Sequence, residues 1–194
     1  ILRKAAVKFV DGFTGKIITF EKDDLYEFAS TPRSAGGIRQ LYTTKINMEL
    51  SKYSLQVYKT FADDMAIDGE RAEIDFKQRG YLFLATDGMI RKFEEHWSLQ
   101  KESGIDSQLL DNAQLLEVIP ELNITDLAGG LFCSESGYLD PYSVMSGYVR
   151  NAKKLGAEYI YEEVDSLVTE QNQIKGIKLT DGREYRAPIV INCA

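Results

Sequence analysis

The chain has 194 residues, 44% hydrophobic and 27% charged, with 30 acidic against 23 basic side chains and a formal net charge of −7. That length can bury a core and form one or two domains. The acidic balance argues against a nucleic-acid partner or an anionic membrane face, both of which call for basic surface, and no apolar run approaches the ~20 residues of a membrane span.

The two cysteines, Cys133 and Cys193, are far apart in apolar settings, so both are expected to be free thiols of a reducing compartment. The single histidine, His96, has no zinc-type spacing to either cysteine, and no metal site is expected. The chain begins at Ile1 without a start Met or a signal peptide. Its N-terminus reads as truncated, and a cytoplasmic location is the expectation.

Residues 1–9 read as the end of a helix. Gly12 and Gly15 flank a turn, and a β-branched and aromatic strand follows over 16–21, ending in Glu21. Residues 23–40 read as loop, broken by Pro32, Gly36 and Gly37. Leu50, Tyr53, Val57, Phe61 and Met65 recur at helical spacing and predict a helix from about Met48 to Ile67, closed by Asp68-Gly69. Ile74 and Phe76, then 80–85, read as two strands joined by the charged turn 77–79. Ile90, Phe93 and Trp97 predict an amphipathic helix closed by Gly104. Asp111 suits the N-cap of a short helix through Val118, stopped by Pro120. Residues 129–133 form a strand.

Gly137 to Pro141 read as a turn into a helix near 142–155, with Val144, Tyr148, Ala152 and Leu155 on one face. Gly156 suits the position just past its end. Asp140-Pro141 is read as that helix start. The last forty residues change character. Strands are expected at 159–161, 164–168, 174–179 and 184–186, with hairpin turns at 171–173 and at Asp181-Gly182. Ile189 to Asn192 read as a final, wholly apolar strand of the kind buried in a parallel sheet.

Two features carry chemistry. A carboxylate at the end of the second strand of a dinucleotide-binding unit accepts ribose hydroxyls, which is the position of Glu21. The small residues Ser34-Ala35-Gly36-Gly37 let backbone approach a cofactor and present N–H groups to it. The glycine-rich turn that stands about 20 residues ahead of such an acid has no room after Ile1. The expectation is a chain cut inside its nucleotide site. Arg33 and Arg39 flank the small-residue turn and could pair with a substrate carboxylate or the cofactor.

The order and spacing of several segments resemble the FAD-dependent oxidoreductases of the D-amino-acid oxidase superfamily, especially the glycine oxidase, sarcosine oxidase and dimethylglycine dehydrogenase branch. The segments are Phe20-Glu21-Lys22, the run from Ala29 to Arg39, Arg79 to Leu84, Gly137 to Pro141, Ala152 to Ala157, and Val190 to Ala194. The resemblance implies an α/β plus α+β fold: a partial FAD-binding Rossmann-like domain with a β-meander, interrupted by a mixed-sheet substrate domain. The corresponding division is 1–45 and 141–194 for FAD binding and 46–140 for substrate.

The resemblance also implies site residues. Glu21 would bind the adenosine ribose, with Lys22 beside it. Ser30 and Thr31 would contact the pyrophosphate or ribityl region, and Ala35, Gly36 and Gly37 would lie against the flavin. Val164 would offer backbone atoms to the adenine, and Ala194 would enter the closing small-residue turn. The implied activity is oxidation of the C–N bond of a small amine or amino acid by hydride transfer to FAD. No residue reads as a catalytic acid or base, and the oligomeric state is open. The alternatives are a hydroxy-acid or glycerol-phosphate dehydrogenase on the same scaffold, or a non-catalytic binding or assembly module.

Overall fold

The computed structural model describes residues 15–193. The helix expected over 1–9 and the expected contact residue Ala194 lie outside the described residues. In chain order the elements are β1 (Ile18–Phe20), β2 (Gly37–Ile38), α1 (Lys45–Lys59), α2 (Phe61–Asp64), β3 (Tyr81–Ala85), α3 (Ile90–Glu102), β4 (Gln108–Leu110) and α4 (Asn112–Val118). Then come β5 (Gly129–Cys133), β6 (Gly137–Tyr138), α5 (Pro141–Lys154), β7 (Glu158–Ile160), β8 (Val164–Glu170), β9 (Gln173–Leu179) and β10 (Glu184–Arg186). This is the expected mixed α/β arrangement, built from small sheets. The chain divides into two compact units, Ser34–Val144 and the remainder.

In Ser34–Val144 an antiparallel sheet runs in the order β3-β5-β4. Leu41, Met48, Ala85, Phe93, Ile105, Leu131 and Cys133 form a buried cluster over it, with Trp97 and Phe83 packed against the cluster. Helix α1 buries Met48, Ser51 and Leu55, one stripe at helical spacing. Each large side chain removed from water there contributes about 1.5–3 kcal/mol. Helix α4 begins with a capping box: Asp111 Oδ1 accepts from Gln114 N at 2.9 Å, and Gln114 Oε1 accepts from Asp111 N at 3.0 Å.

In the other unit β1 and β7 pair in parallel, with Thr19 opposite Tyr159. Strands β8, β9 and β10 form an antiparallel meander. Gln171 and Asn172 take φ of 47° and 61°, the two left-handed residues of a tight hairpin. The ring of Phe20 on β1 meets that of Tyr185 on β10 edge-on at 4.9 Å. The end of α5 is closed at Gly156, φ 91°, where Gly156 N donates to Lys153 O and Ala157 N to Ala152 O, a Schellman motif.

Four expectations need correction. The single helix over 48–67 is two, α1 and α2, broken at Thr60, whose ψ of 3° departs from the helix. Ile74 and Phe76 form no strand, because among the described residues the only ladder contact there is the isolated bridge from Lys77 to Tyr138. Strands β2 and β4 were not expected, since each is defined by a distant partner, β6 and β5 respectively. Residues 189–192 form no strand among the described residues, and Ile189 and Ile191 are 56% and 63% exposed. An apolar sequence becomes a strand only where a neighbour takes its backbone hydrogen bonds, and no described strand flanks this one.

Candidate functional site

The end of β1 places Glu21 by backbone pairing, since its N–H continues the ladder to Ile160 O at 3.1 Å. Its half-buried carboxylate uses Oε1 to accept from Asp23 N at 3.0 Å, which closes the chain reversal after the strand. Among the described residues Oε2 makes no hydrogen bond. An ionised carboxylate is acceptor-only, with capacity on both oxygens, so this strand end is suited to a hydroxyl-bearing ligand. Lys22 is exposed, and its Nζ lies 3.1 Å from Glu163 Oε1. The structure thus brings Lys22 beside the residue that precedes Val164 at the start of the meander. Val164 pairs with Leu179 at a bulge and is 39% exposed.

The loop after β1 is ordered by its own contacts. Asp23 Oδ2 accepts from Phe28 N at 2.6 Å. Arg33 Nε donates to Glu27 O at 2.7 Å, and its guanidinium lies over the Phe28 ring at 5.5 Å. Arg33 therefore serves the loop. Ser30 and Thr31 are both exposed on it.

Also in this unit, Tyr159 is half-buried on β7. Burial pushes its hydroxyl up from the usual tyrosine range, against the smaller opposing effects of a Thr19 hydrogen bond and the Lys153 charge. Lys153 Nζ lies 5.0 Å from the Tyr159 ring and donates to Tyr161 Oη at 3.0 Å.

The small-residue turn belongs to the unit Ser34–Val144. Ser34 Oγ accepts from Gly36 N at 3.3 Å. Gly36 has φ +67°, and the space for its Cβ is taken by the Leu139 carbonyl. A Cβ on Gly37 would lie 3.3 Å from the Tyr81 ring. The chain itself makes the close approach at Gly36, so that glycine is required by the β2–β6 pairing whatever else binds nearby. Ala35 and Gly37 are exposed.

Arg39 follows β2. Its guanidinium lies 4.9 Å from the Tyr42 ring centroid and 5.7 Å from that of Phe83, and Phe83 meets Tyr81 edge-on at 5.6 Å. Among the described residues no carboxylate pairs with Arg39, which is exposed. An aromatic platform holding an unpaired guanidinium is chemically fit to receive a carboxylate. His96 is half-buried on α3, Cys133 is buried in the core and Cys193 is exposed, both as free thiols. No cluster of metal-ligating side chains occurs among the described residues.

The sequence profile of the family described as FAD dependent oxidoreductase matches residues 5–194. The chain belongs to that family. That family is FAD-dependent. The chain is 30% identical over 161 residues to FAD-dependent oxidoreductase domain-containing protein 1 of Xenopus laevis, covering 82% of this chain and 32% of that protein. Sarcosine dehydrogenase, mitochondrial, of Mus musculus is 25% identical over 186 residues, covering 93% of this chain and 20% of that one.

The crystal structure of L-proline dehydrogenase from P. horikoshii superimposes with a TM-score of 0.82 at 26% identity, over 97% of this chain and 47% of that one. The chain therefore spans about a third of the length of the first curated relative and about half of the solved one. No helix among the described residues is long and apolar enough to cross a membrane.

Sequence reasoning missed the buried polar residues that hold the Arg39 segment. Ser136 Oγ accepts from Gln40 N at 3.2 Å, and Gln100 Nε2 donates to Tyr42 O at 3.1 Å. A signal existed for Gln100. It occupies the next inward position after Phe93 and Trp97 on an amphipathic helix, where a hydrophobic residue is the default.

Proposed function

We propose that the protein is a flavoenzyme that oxidises the carbon–nitrogen bond of a small amine or amino acid. The observation that carries the cofactor assignment is Glu21: a half-buried carboxylate at the end of β1 with Oε2 uncommitted among the described residues, in a chain of an FAD-dependent family. Glu21 would accept adenosine ribose hydroxyls, and Lys22 and Val164 would border the adenosine. Ser30 and Thr31 would serve the phosphates or ribityl chain. Within its own unit the turn at Ala35 and Gly37 exposes backbone suited to a ligand, and Gly36 supports that turn.

FAD, when bound, supplies the acceptor for the hydride that leaves the carbon beside nitrogen. The residues described here bind and orient. Arg39, fixed on Tyr42 and Phe83, would take a substrate carboxylate, which favours amino acids over simple amines. The names of the relatives support the same class, since sarcosine and L-proline both carry a carboxylate beside an amine-bearing carbon.

The test is the visible spectrum of the native gene product and its bleaching under anaerobic substrate. Oxidised flavin absorbance near about 450 nm, bleached by L-proline, sarcosine or glycine, is the expected result. Absence of flavin overturns the cofactor assignment. Bleaching by hydroxy acids and by no amine overturns the substrate class.

A further inference from the structure

Gln100 is 1% exposed, and its Oε1 has no hydrogen-bond partner among the described residues. A buried unpaired carbonyl is costly, and a hydrophobic residue in that place would avoid the cost. What the amide provides is its Nε2, which reaches from α3 to Tyr42 O across 58 positions of sequence. Tyr42 is the residue whose ring carries the Arg39 guanidinium. On the near side of Arg39 a second buried group, the Ser136 hydroxyl, fully buried, fixes the Gln40 N–H. Between these two anchors, Tyr42 N donates to Gln40 O at 2.8 Å and tightens the segment.

We propose that Gln100 and Ser136 are positioning residues that hold the backbone of 40–42, so that Arg39 and the Tyr42 ring meet a substrate carboxylate in one fixed arrangement. The inference rests on the reading of Arg39 as the carboxylate group's partner. Neither residue touches the substrate; each acts on Arg39 through the backbone. The consequence is selectivity: losing either anchor weakens carboxylate-bearing substrates more than their carboxylate-free counterparts.

The experiment compares L-proline with pyrrolidine, the same ring without its carboxylate, in the native gene product and in four variants. Arg39→Met is expected to reduce the preference for L-proline at least roughly tenfold. Gln100→Met and Ser136→Ala are each expected to reduce it roughly three- to tenfold, with the change in KM for L-proline rather than in kcat. Ser107→Ala removes another buried hydroxyl of the same unit, one without a hydrogen-bond partner among the described residues and with no hydrogen bond to 39–42 among them, and it is expected to keep the preference. If Arg39→Met lowers the preference while Gln100→Met and Ser136→Ala keep it, the inference is overturned and the reading of Arg39 stands. A fall with Ser107→Ala equal to that with Gln100→Met also overturns it, because the effect is then general packing. If Arg39→Met itself keeps the preference, the underlying reading fails.

Discussion

The Leu139 carbonyl occupies the space that a Cβ on Gly36 would take, while the Leu139 N–H donates to the Gly36 carbonyl at 3.1 Å. The two backbones are in contact at the point where β2 begins to pair with β6. Gly36→Ala must move one of these backbones and also place a side chain at φ +67°. The left-handed conformation alone costs about 1–2 kcal/mol, and the clash adds to it. Gly69 is also left-handed, at φ +86°, but has open space around its Cβ. Gly69→Ala is therefore expected to lower the midpoint of thermal unfolding less than Gly36→Ala does. Equal shifts would show that the Leu139 contact is not what requires glycine at 36.

The capping box of α4 gives a second prediction. Asp111→Ala removes the acceptor for Gln114 N, and a lost cap costs about 1 kcal/mol. Asp111→Asn keeps an acceptor and is expected to recover most of the loss. Urea unfolding of the two variants measures the difference. The exposed pair Lys22–Glu163 is the contrast: Glu163→Gln is expected to change stability by less than about 1 kcal/mol.

The alkaline behaviour of the fold follows from Tyr58 and Tyr159, whose hydroxyls burial pushes up from the ordinary value of 10.0. A raised value means that the folded chain keeps its proton where the unfolded chain has released it. The resulting stabilisation is complete below the unfolded value and is lost as pH rises through the folded one. Stability is therefore expected to decline from about pH 10 upward. Tyr159→Phe should flatten that decline in chemical unfolding series; an unchanged alkaline slope would assign it to other groups.

Local signals in the sequence identify the parts of this fold that local chemistry determines. Asp111 at the start of α4, the Gln171-Asn172 hairpin and Gly156 beyond α5 each act within a few residues, and each lies where the pattern predicts. The FAD-dependent family and its mixed fold are legible through the order of such segments. What the pattern misses depends on partners distant in sequence. Leu109 is in a strand because Leu131 pairs with it, and Gly37 because of Tyr138.

Ile189 to Asn192 shows the reverse, an apolar run that forms no strand without a described neighbour. In the candidate sites, Glu21 and Arg39 are visible as charges beside a strand and a glycine turn. The anchors Gln100 and Ser136 are polar residues whose importance comes only from burial and from what they hold.

The carboxylate that ends β1 is proposed to bind FAD. The direct measurement is the FAD dissociation constant of the native gene product and its Glu21→Ala variant, by quenching of flavin fluorescence on titration. Loss of a charge-assisted hydrogen bond from a ribose hydroxyl predicts affinity weaker by roughly tenfold or more, with the same thermal midpoint in the absence of flavin to within about two degrees. Equal dissociation constants for the two proteins would contradict the claim.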